Sequence, residues 1–500
     1  MAIDREHVLL ENGEIFPFDE LPILILSEPS SILVAPHFGP VIKYLDDHFG
    51  DNELWQFRAS PIERSAWAPN RNRQATMKDC LIGYLGFKGK NKKKGHYHYP
   101  LSPQTFILKS IGELRRGIPG ETATIIKLME WAKEVRKFLQ DNELNLSPTS
   151  GGIAAQFLKD ERFYAAPRRK VPRRINAKAR DHLPGNFYKL YEARENVKVY
   201  NAAYLDQISA HHTHAKKIKF PCANELRSRG RYHTLQDRSY ARYGTDKFKV
   251  LIQQAGLFYL AVEVPHLTSK DFPLPCLEGP TGYRRVFVHS NELSYLSELG
   301  VRVRHIIACW TSPKSETGLN KYAEWAIGQI EESTEASKPW LKPTLLSTYG
   351  VLAAKPKIME FGFKHAKNGV PKKYPCGSGF LEVQAKISKT AREPMMANVI
   401  HRGMIEAETR LESLRFARRL TKEGHTILAI YADSIFVEDG TPLPLLPPPW
   451  RIQNYLTGLK FQSATHFSSV QLEKMPGVPV GLRSHARRIP ARPGKKKLPT

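Results

Sequence analysis

Cysteine is scarce: Cys80, Cys222, Cys276, Cys309 and Cys376 are dispersed through 500 residues, with no Cys-x-x-Cys. An odd, scattered set argues against a disulfide framework and a cysteine zinc site, and suits reduced thiols in an intracellular protein. No run reaches the ~18 apolar residues of a spanning helix, and no repeat recurs at a solenoid period. Met1-Ala2-Ile3-Asp4-Arg5-Glu6 lacks the basic-then-apolar layout of a secretion signal. Acidic residues are in deficit, 49 Asp+Glu against 75 Lys+Arg, for a net charge of +26. Such a chain attracts polyanions, phosphate backbones first among them, and a membrane surface or a capsid interior could use the same charge. The rest is ordinary: 41% hydrophobic, 10% aromatic and 25% charged. That excludes a disordered chain, a collagen or a coiled-coil rod, and leaves room for about three domains with a sizeable core.

Residues 1–100 mix short apolar runs at 21–26 and 32–35 with Pro and Gly, and read as α/β. A lysine-rich loop is expected at 88–94. Ile125, Ile126, Leu128, Met129, Trp131, Val135 and Phe138 predict an amphipathic helix over 121–142. A Ser-Pro-Thr-Ser-Gly-Gly break at 147–152 marks a boundary, and a basic linker is expected at 168–180. Strands are expected within 186–209, over 249–264 and over 301–310, with a short capped helix at 291–300. Residues 319–350 read as helical, with Pro339 and Pro343 breaking or offsetting the path. Residues 395–423 read as a long helix, 426–437 as a hairpin, and the proline-rich 443–449 as no central strand. The last 20 residues form a basic tail.

Three constellations carry chemistry. In Tyr204-Leu205-Asp206-Gln207-Ile208-Ser209-Ala210-His211-His212 an acid ends an expected strand. Alone it reads as readily as a turn or cap residue. In the segment 338–350, Lys338, Lys342, Leu345, Leu346 and Tyr349 recur at helical offsets, so one face would carry two cations and a tyrosine. Lysines suit phosphate oxygens, and a tyrosine can stack on a base; a solvated helix face is the plainer alternative. In Ile427-Leu428-Ala429-Ile430-Tyr431-Ala432-Asp433-Ser434-Ile435-Phe436-Val437 an Asp interrupts an apolar run. A buried carboxylate must be paired or bind a metal, unless Asp433 sits at a hairpin tip. Two carboxylates from different strands can hold two divalent cations ~3.5–4 Å apart. Their hard oxygens suit Mg²⁺, which takes its remaining ligands from water and substrate phosphates. His211, His212 and His214 invite a zinc reading, but adjacent histidines point different ways.

In order and wording these segments resemble the B-family DNA polymerases, most closely the protein-primed enzymes of phages and linear plasmids. Asp206, Gln207, Ile208 and Ser209 match the start of that family's Asp-x-x-Ser-Leu-Tyr-Pro. Lys342, Ser347, Tyr349 and Gly350 match Lys-x-x-x-Asn-Ser-x-Tyr-Gly, and Asp433-Ser434 ends Tyr-x-Asp-Thr-Asp-Ser. The segment 184–188, with Gly185, looks like a template-contacting loop, and 474–478 like part of a thumb. The sequence departs from the pattern at four places. His211 stands for the tyrosine that blocks a ribose 2′-hydroxyl, His212 for a proline, Leu346 for the asparagine of the second motif, and Tyr431 for the first Asp of the third.

The resemblance implies an α+β right-hand polymerase of palm, fingers and thumb behind an N-terminal α/β domain, which is either a degenerate exonuclease (RNase H-like) fold or an unrelated binding domain. The divisions are 1–150 for that domain, 151–315 and 395–445 for the palm, 316–355 for the fingers, 356–394 for an insertion, 446–482 for the thumb and 483–500 for the tail. It implies two Mg²⁺ (or Mn²⁺) on Asp206, Asp433 and the main-chain carbonyl of Gln207. Lys342, Lys338, Tyr349, His211 and Ser209 would surround the nucleotide; Ser434, Gly185 and Gly350 would meet primer or template. The implied partners are template and primer DNA, dNTPs and a terminal protein offering a priming hydroxyl, around a monomer in the host cytoplasm. An exonuclease would need Asp-x-Glu on a strand. Asp51-Asn52-Glu53 and Asp141-Asn142-Glu143 sit in polar surroundings, so no proofreading is expected. An inactive, polymerase-like DNA-binding protein is the alternative.

Overall fold

The computed structural model describes residues 1–3, 7–27, 33–34, 44, 55–58, 84–91, 95–106, 121–144, 150–163, 171–182, 187–193, 195, 199–229, 240–334, 337–354, 357–361, 372–376, 379–383, 385–392, 396–463, 466–469 and 471–473. Its contacts divide the chain into two units, 1–160 with 328–395, and 161–327 with 396–500. Gly185, the 474–478 segment, the basic tail and Asp51-Asn52-Glu53 lie outside the described residues.

In the first unit Ala2–Ile3 pairs antiparallel with His7–Leu9, which pairs antiparallel with Ile15–Pro17. On its other side Ala2–Ile3 runs parallel to Leu33–Val34, which runs parallel to Gly95–Phe106. Gly95–Phe106 and Tyr84–Asn91 form an antiparallel pair, so Lys88 to Asn91 of the expected loop lie in a strand. The predicted amphipathic helix spans Glu121–Asp141. Lys338–Leu352 is a second helix, with Pro339 in its first turn, where a missing N–H costs little.

Among its described residues the second unit holds two large antiparallel sheets, besides the short pair Phe220–Pro221 with Ser315–Glu316. The first contains β1 (Tyr188–Leu190) and β2 (Tyr200–Gln207), followed by helix α1 (Ala210–Ala215). β3 (Ala255–Val264), β4 (Gly282–His289) and β5 (Arg302–Ser312) make most of the other sheet, with β3 in the middle. The chain then forms helix α2 (Val399–Lys422), β6 (Ile427–Tyr431), β7 (Ser434–Glu438) and β8 (Trp450–Ser463). The first sheet runs β8-β2-β7-β6-β1, with His466–Ser468 and Gln471–Glu473 on β8. Thus part of the range assigned to the thumb is a strand of the carboxylate sheet, because β8 meets the otherwise open edge of β2.

Helix α2 starts at Asn398, whose side chain accepts from His401 N, and stops at Gly424 (φ +91°), where His425 N reaches back to Leu420 O at 3.0 Å. Its Leu411, Leu414, Ala417 and Leu420 share one core with Leu205, Ile430 and Ile435 of the first sheet and Phe258, Leu260 and Val288 of the second. The other face of the first sheet carries an aromatic bed of Tyr200, Tyr431, Phe436 and Phe461. Two expectations are corrected. Residues 246–252 are a helix, capped by Thr245 Oγ1 accepting from Phe248 N, because Phe248 and Leu251 bury at a three-residue interval. The second half of the basic linker is a helix, Arg173–Asp181, with Ile175 and Ala179 buried.

Candidate active site

β2 and β7 pair antiparallel with Asp206 opposite Ser434 and Tyr204 opposite Phe436. Cross-strand partners face the same way, so Asp206, Ser434, Tyr204 and Phe436 stand on the aromatic face. Leu205, Ile435 and Gln207 point to α2. Asp433 occupies the β6–β7 turn, and its carbonyl accepts from Gln207 N at 3.0 Å. The two motifs, more than 200 residues apart, are thereby neighbours in one sheet.

The carboxylate of Asp206 is held on both oxygens. Ser434 Oγ donates to Oδ1 at 3.0 Å, and Tyr204 OH lies 3.1 Å from Ser434 Oγ. A hydroxyl that donates to a carboxylate keeps its lone pairs for Tyr204, which fixes the order Tyr204 to Ser434 to Asp206. Arg451 of β8, opposite Asp206, brings Nη2 to 3.6 Å from Oδ2. Sequence reading missed Tyr204 and Arg451. The two-residue spacing of Tyr204 from Asp206 was a usable signal; Arg451 needed the β8 register.

Gln207 has its side chain buried against α2. His214 Nε2 lies 2.6 Å from Gln207 Oε1, and Gln207 Nε2 donates to Ser413 Oγ at 2.8 Å and Thr409 O at 3.2 Å. Burial, with Lys217 nearby, pushes His214 down to about 4. Burial, with the charge of Arg402, pushes His211 down to about 3, so both rings are neutral at pH 7. Ser209, at φ +48°, opens α1, its carbonyl accepting from His212 N and Thr213 N.

The donor set fits Mg²⁺. Two carboxylates and the Gln207 carbonyl at neighbouring strand ends are hard oxygens. Among the described residues no group of three His, Cys, Asp or Glu gathers into a complete cage. Mg²⁺ is ordinarily held this way, by one or two carboxylates plus water and phosphate.

Tyr431, where the related motif has an acid, is buried among aromatic rings, its OH donating to Ser463 O at 3.3 Å. It is part of the bed beneath the site. Lys338, Lys342, Tyr349 and Gly350 lie in the first unit. Tyr349 is 0% exposed, on the buried stripe Leu341–Leu345–Tyr349–Leu352 of its helix, so it presents no free face to a base. Tyr349 follows Leu345 by four residues and precedes Leu352 by three, whereas Lys338 and Lys342 are only half-buried. Gly350 is exposed with open space where a Cβ would stand.

The sequence matches no family model and no curated protein. Solved structures do resemble it. Phi29 DNA polymerase complexed with primer–template DNA and incoming nucleotide substrates aligns at TM-score 0.57 and 14% identity, over 93% of this chain and 87% of that one. Phi29 DNA polymerase complexed with single-stranded DNA aligns at 0.54 and 15%, over 92% and 85%. Its post-translocation binary complex with primer–template DNA aligns at 0.54 and 14%, over 91% and 81%.

Proposed function

We propose that this chain, whose fold is that of phi29 DNA polymerase, is a template-directed DNA polymerase that adds dNMPs to a 3′-hydroxyl. The observation that carries the reading is the β2–β7 register, which sets Asp206 beside Ser434 and the Asp433 carbonyl on Gln207 N. Asp206, Asp433 and the Gln207 carbonyl would hold Mg²⁺. The bound ions would supply acidification of the 3′-hydroxyl and neutralisation of charge at phosphorus and on the leaving pyrophosphate. Ser434 and Tyr204 hold the Asp206 carboxylate in one orientation. The roles assigned to Lys342 and Lys338, on the triphosphate of an incoming nucleotide, and to His211, on its sugar, rest on the motif match. The net charge of +26 supports backbone contacts along primer and template.

The test is primer extension by the purified chain with Mg²⁺ and four dNTPs. Asp206→Asn and Asp433→Asn should each reduce incorporation to background while DNA binding persists. Incorporation unchanged in either variant refutes the assignment. A wild type that binds DNA but incorporates nothing under Mg²⁺ or Mn²⁺ would instead be the inactive DNA-binding relative.

A second reading attaches to the N-terminal sheet. Ala2–Ile3 has a strand on each side, and Asp4-Arg5-Glu6 follows it in sequence. These three residues, an Asp-x-Glu triplet, lie outside the described ones. Asp141, by contrast, ends a helix. A 3′–5′ exonuclease at this sheet predicts digestion of single-stranded DNA that Asp4→Ala with Glu6→Ala abolishes and Asp433→Asn spares.

A further inference from the structure

The turn that presents Asp433 contains a strained residue. Ala432 has φ +53°, in the left-handed region that a side chain disfavours. Such a conformation persists only where its surroundings over-determine it. Here both backbone groups are held: Ala432 N donates to Phe187 O at 2.6 Å, and Ser413 Oγ donates to Ala432 O at 2.9 Å.

Ser413 lies on α2 and is 0% exposed, Gln207 is 2% exposed and His214 3% exposed. Two carbonyls lie within reach of the single Ser413 proton, Ala432 O at 2.9 Å and Thr409 O at 3.3 Å, and the nearer, Ala432 O, takes it. The lone pairs of Ser413 then face Gln207 Nε2, which the acceptor Thr409 O also requires to be the amide nitrogen. Gln207 Oε1 is left to accept from His214, whose proton must sit on Nε2. The Gln207 main chain closes the loop by donating to Asp433 O. A slip at any link leaves a buried polar group without a partner.

We infer that His214, Gln207 and Ser413 are positioning residues: a one-way hydrogen-bond chain from α1 through β2 and α2 that locks Ala432 in its left-handed conformation and so sets the Asp433 carboxylate against Asp206. The inference rests on the polymerase reading for its kinetic consequence but not for its structural one. The chain reaches Asp433 only through main-chain atoms.

The experiment compares wild type, Ser413→Ala, Gln207→Met, their double variant and the hydroxyl-retaining Ser413→Thr. The readouts are crystal structures, Mn²⁺ binding followed by electron paramagnetic resonance, and single-turnover dNTP incorporation. In Ser413→Ala the expected result is Ala432 leaving positive φ, Mn²⁺ affinity falling about tenfold, and kcat falling by up to ~10²-fold at unchanged nucleotide KM, as a displacement of ~1 Å in a reacting group can cause. Gln207→Met should do the same. The double variant should be no worse than either single, because both cut one chain. Ser413→Thr should restore the rate. Retention of Ala432 geometry with normal Mn²⁺ affinity in both single variants overturns the inference, as do additive losses with no rescue, which mark ordinary packing. A wild type that incorporates no nucleotide defeats the polymerase reading; the turn geometry and Mn²⁺ affinity of the variants then decide this inference alone.

Discussion

Ser434 Oγ donates to Asp206 Oδ1 at 3.0 Å across 228 positions of sequence. One hydroxyl thus ties the third motif to the carboxylate of the first, with Tyr204 behind it at 3.1 Å.

Removing that hydroxyl takes one hydrogen bond from Asp206 Oδ1 and one from the Tyr204 phenol. Ser434→Ala should lower the rate of nucleotide incorporation by about tenfold, the ~1.4 kcal/mol of one typical hydrogen bond. Melting temperature should shift little, and Ser434→Thr should recover most of the rate. A rapid-quench assay beside a thermal melt separates the two effects.

The underside of α2 contains a buried ionic cluster. Arg410 binds Glu292 Oε1, while Glu292 Oε2 accepts from His289 N at 2.8 Å, and Asn291 Nδ2 donates to Glu408 Oε2 at 2.8 Å. Burial alone would push Glu292 up, but Arg410 and His289 outweigh it and hold the carboxyl at about 2. Glu408 and the Cys276 thiol also feel its charge. A carboxyl depressed on folding contributes stability that is full above its unfolded pKa and is lost as pH falls through its folded one. Unfolding titrations in denaturant should therefore show stability declining as pH drops from about 4.5 toward about 2. Glu292→Gln should flatten that decline. Arg410→Met should cost about 3–5 kcal/mol at neutral pH, since it strands a buried anion.

Two glycines should respond oppositely to alanine. A Cβ at Gly403 would collide with the His289 ring at Nε2, inside the same cluster. Gly403→Ala should destabilise by about 1–3 kcal/mol through overpacking. At Gly350 the space is open. Gly350→Ala should stabilise its helix by about 0.5–1 kcal/mol. If Gly350 meets the primer–template, the same substitution should weaken DNA binding despite the gain, which a melt paired with a binding isotherm measures.

The excess of cations predicts steep salt dependence. With 6–10 phosphate contacts, affinity for primer–template DNA should fall ~10³–10⁵-fold between ~50 and ~200 mM salt. Fluorescence anisotropy across that range reads the slope; a flat line would exclude backbone-dominated binding.

The sequence by itself determined the charge, the order of the three motifs and the character of most elements. The long α2 helix, the β6–β7 hairpin at Asp433 and the strand ending at Asp206 all followed from local periodicity and turn chemistry. Where a local signal was ambiguous it misled: 249–252 looked like the start of a strand because a buried helix turn and a buried strand are both apolar runs. Pairing and facing were decided by the tertiary structure alone. Nothing local says that Arg451 stands opposite Asp206, that Gln207 reaches Ser413, or that Tyr349 is buried while Lys342 is only half so. Register depends on which faces bury together over hundreds of residues, and a one-residue slip would turn Asp206 into the core and Gln207 out of it.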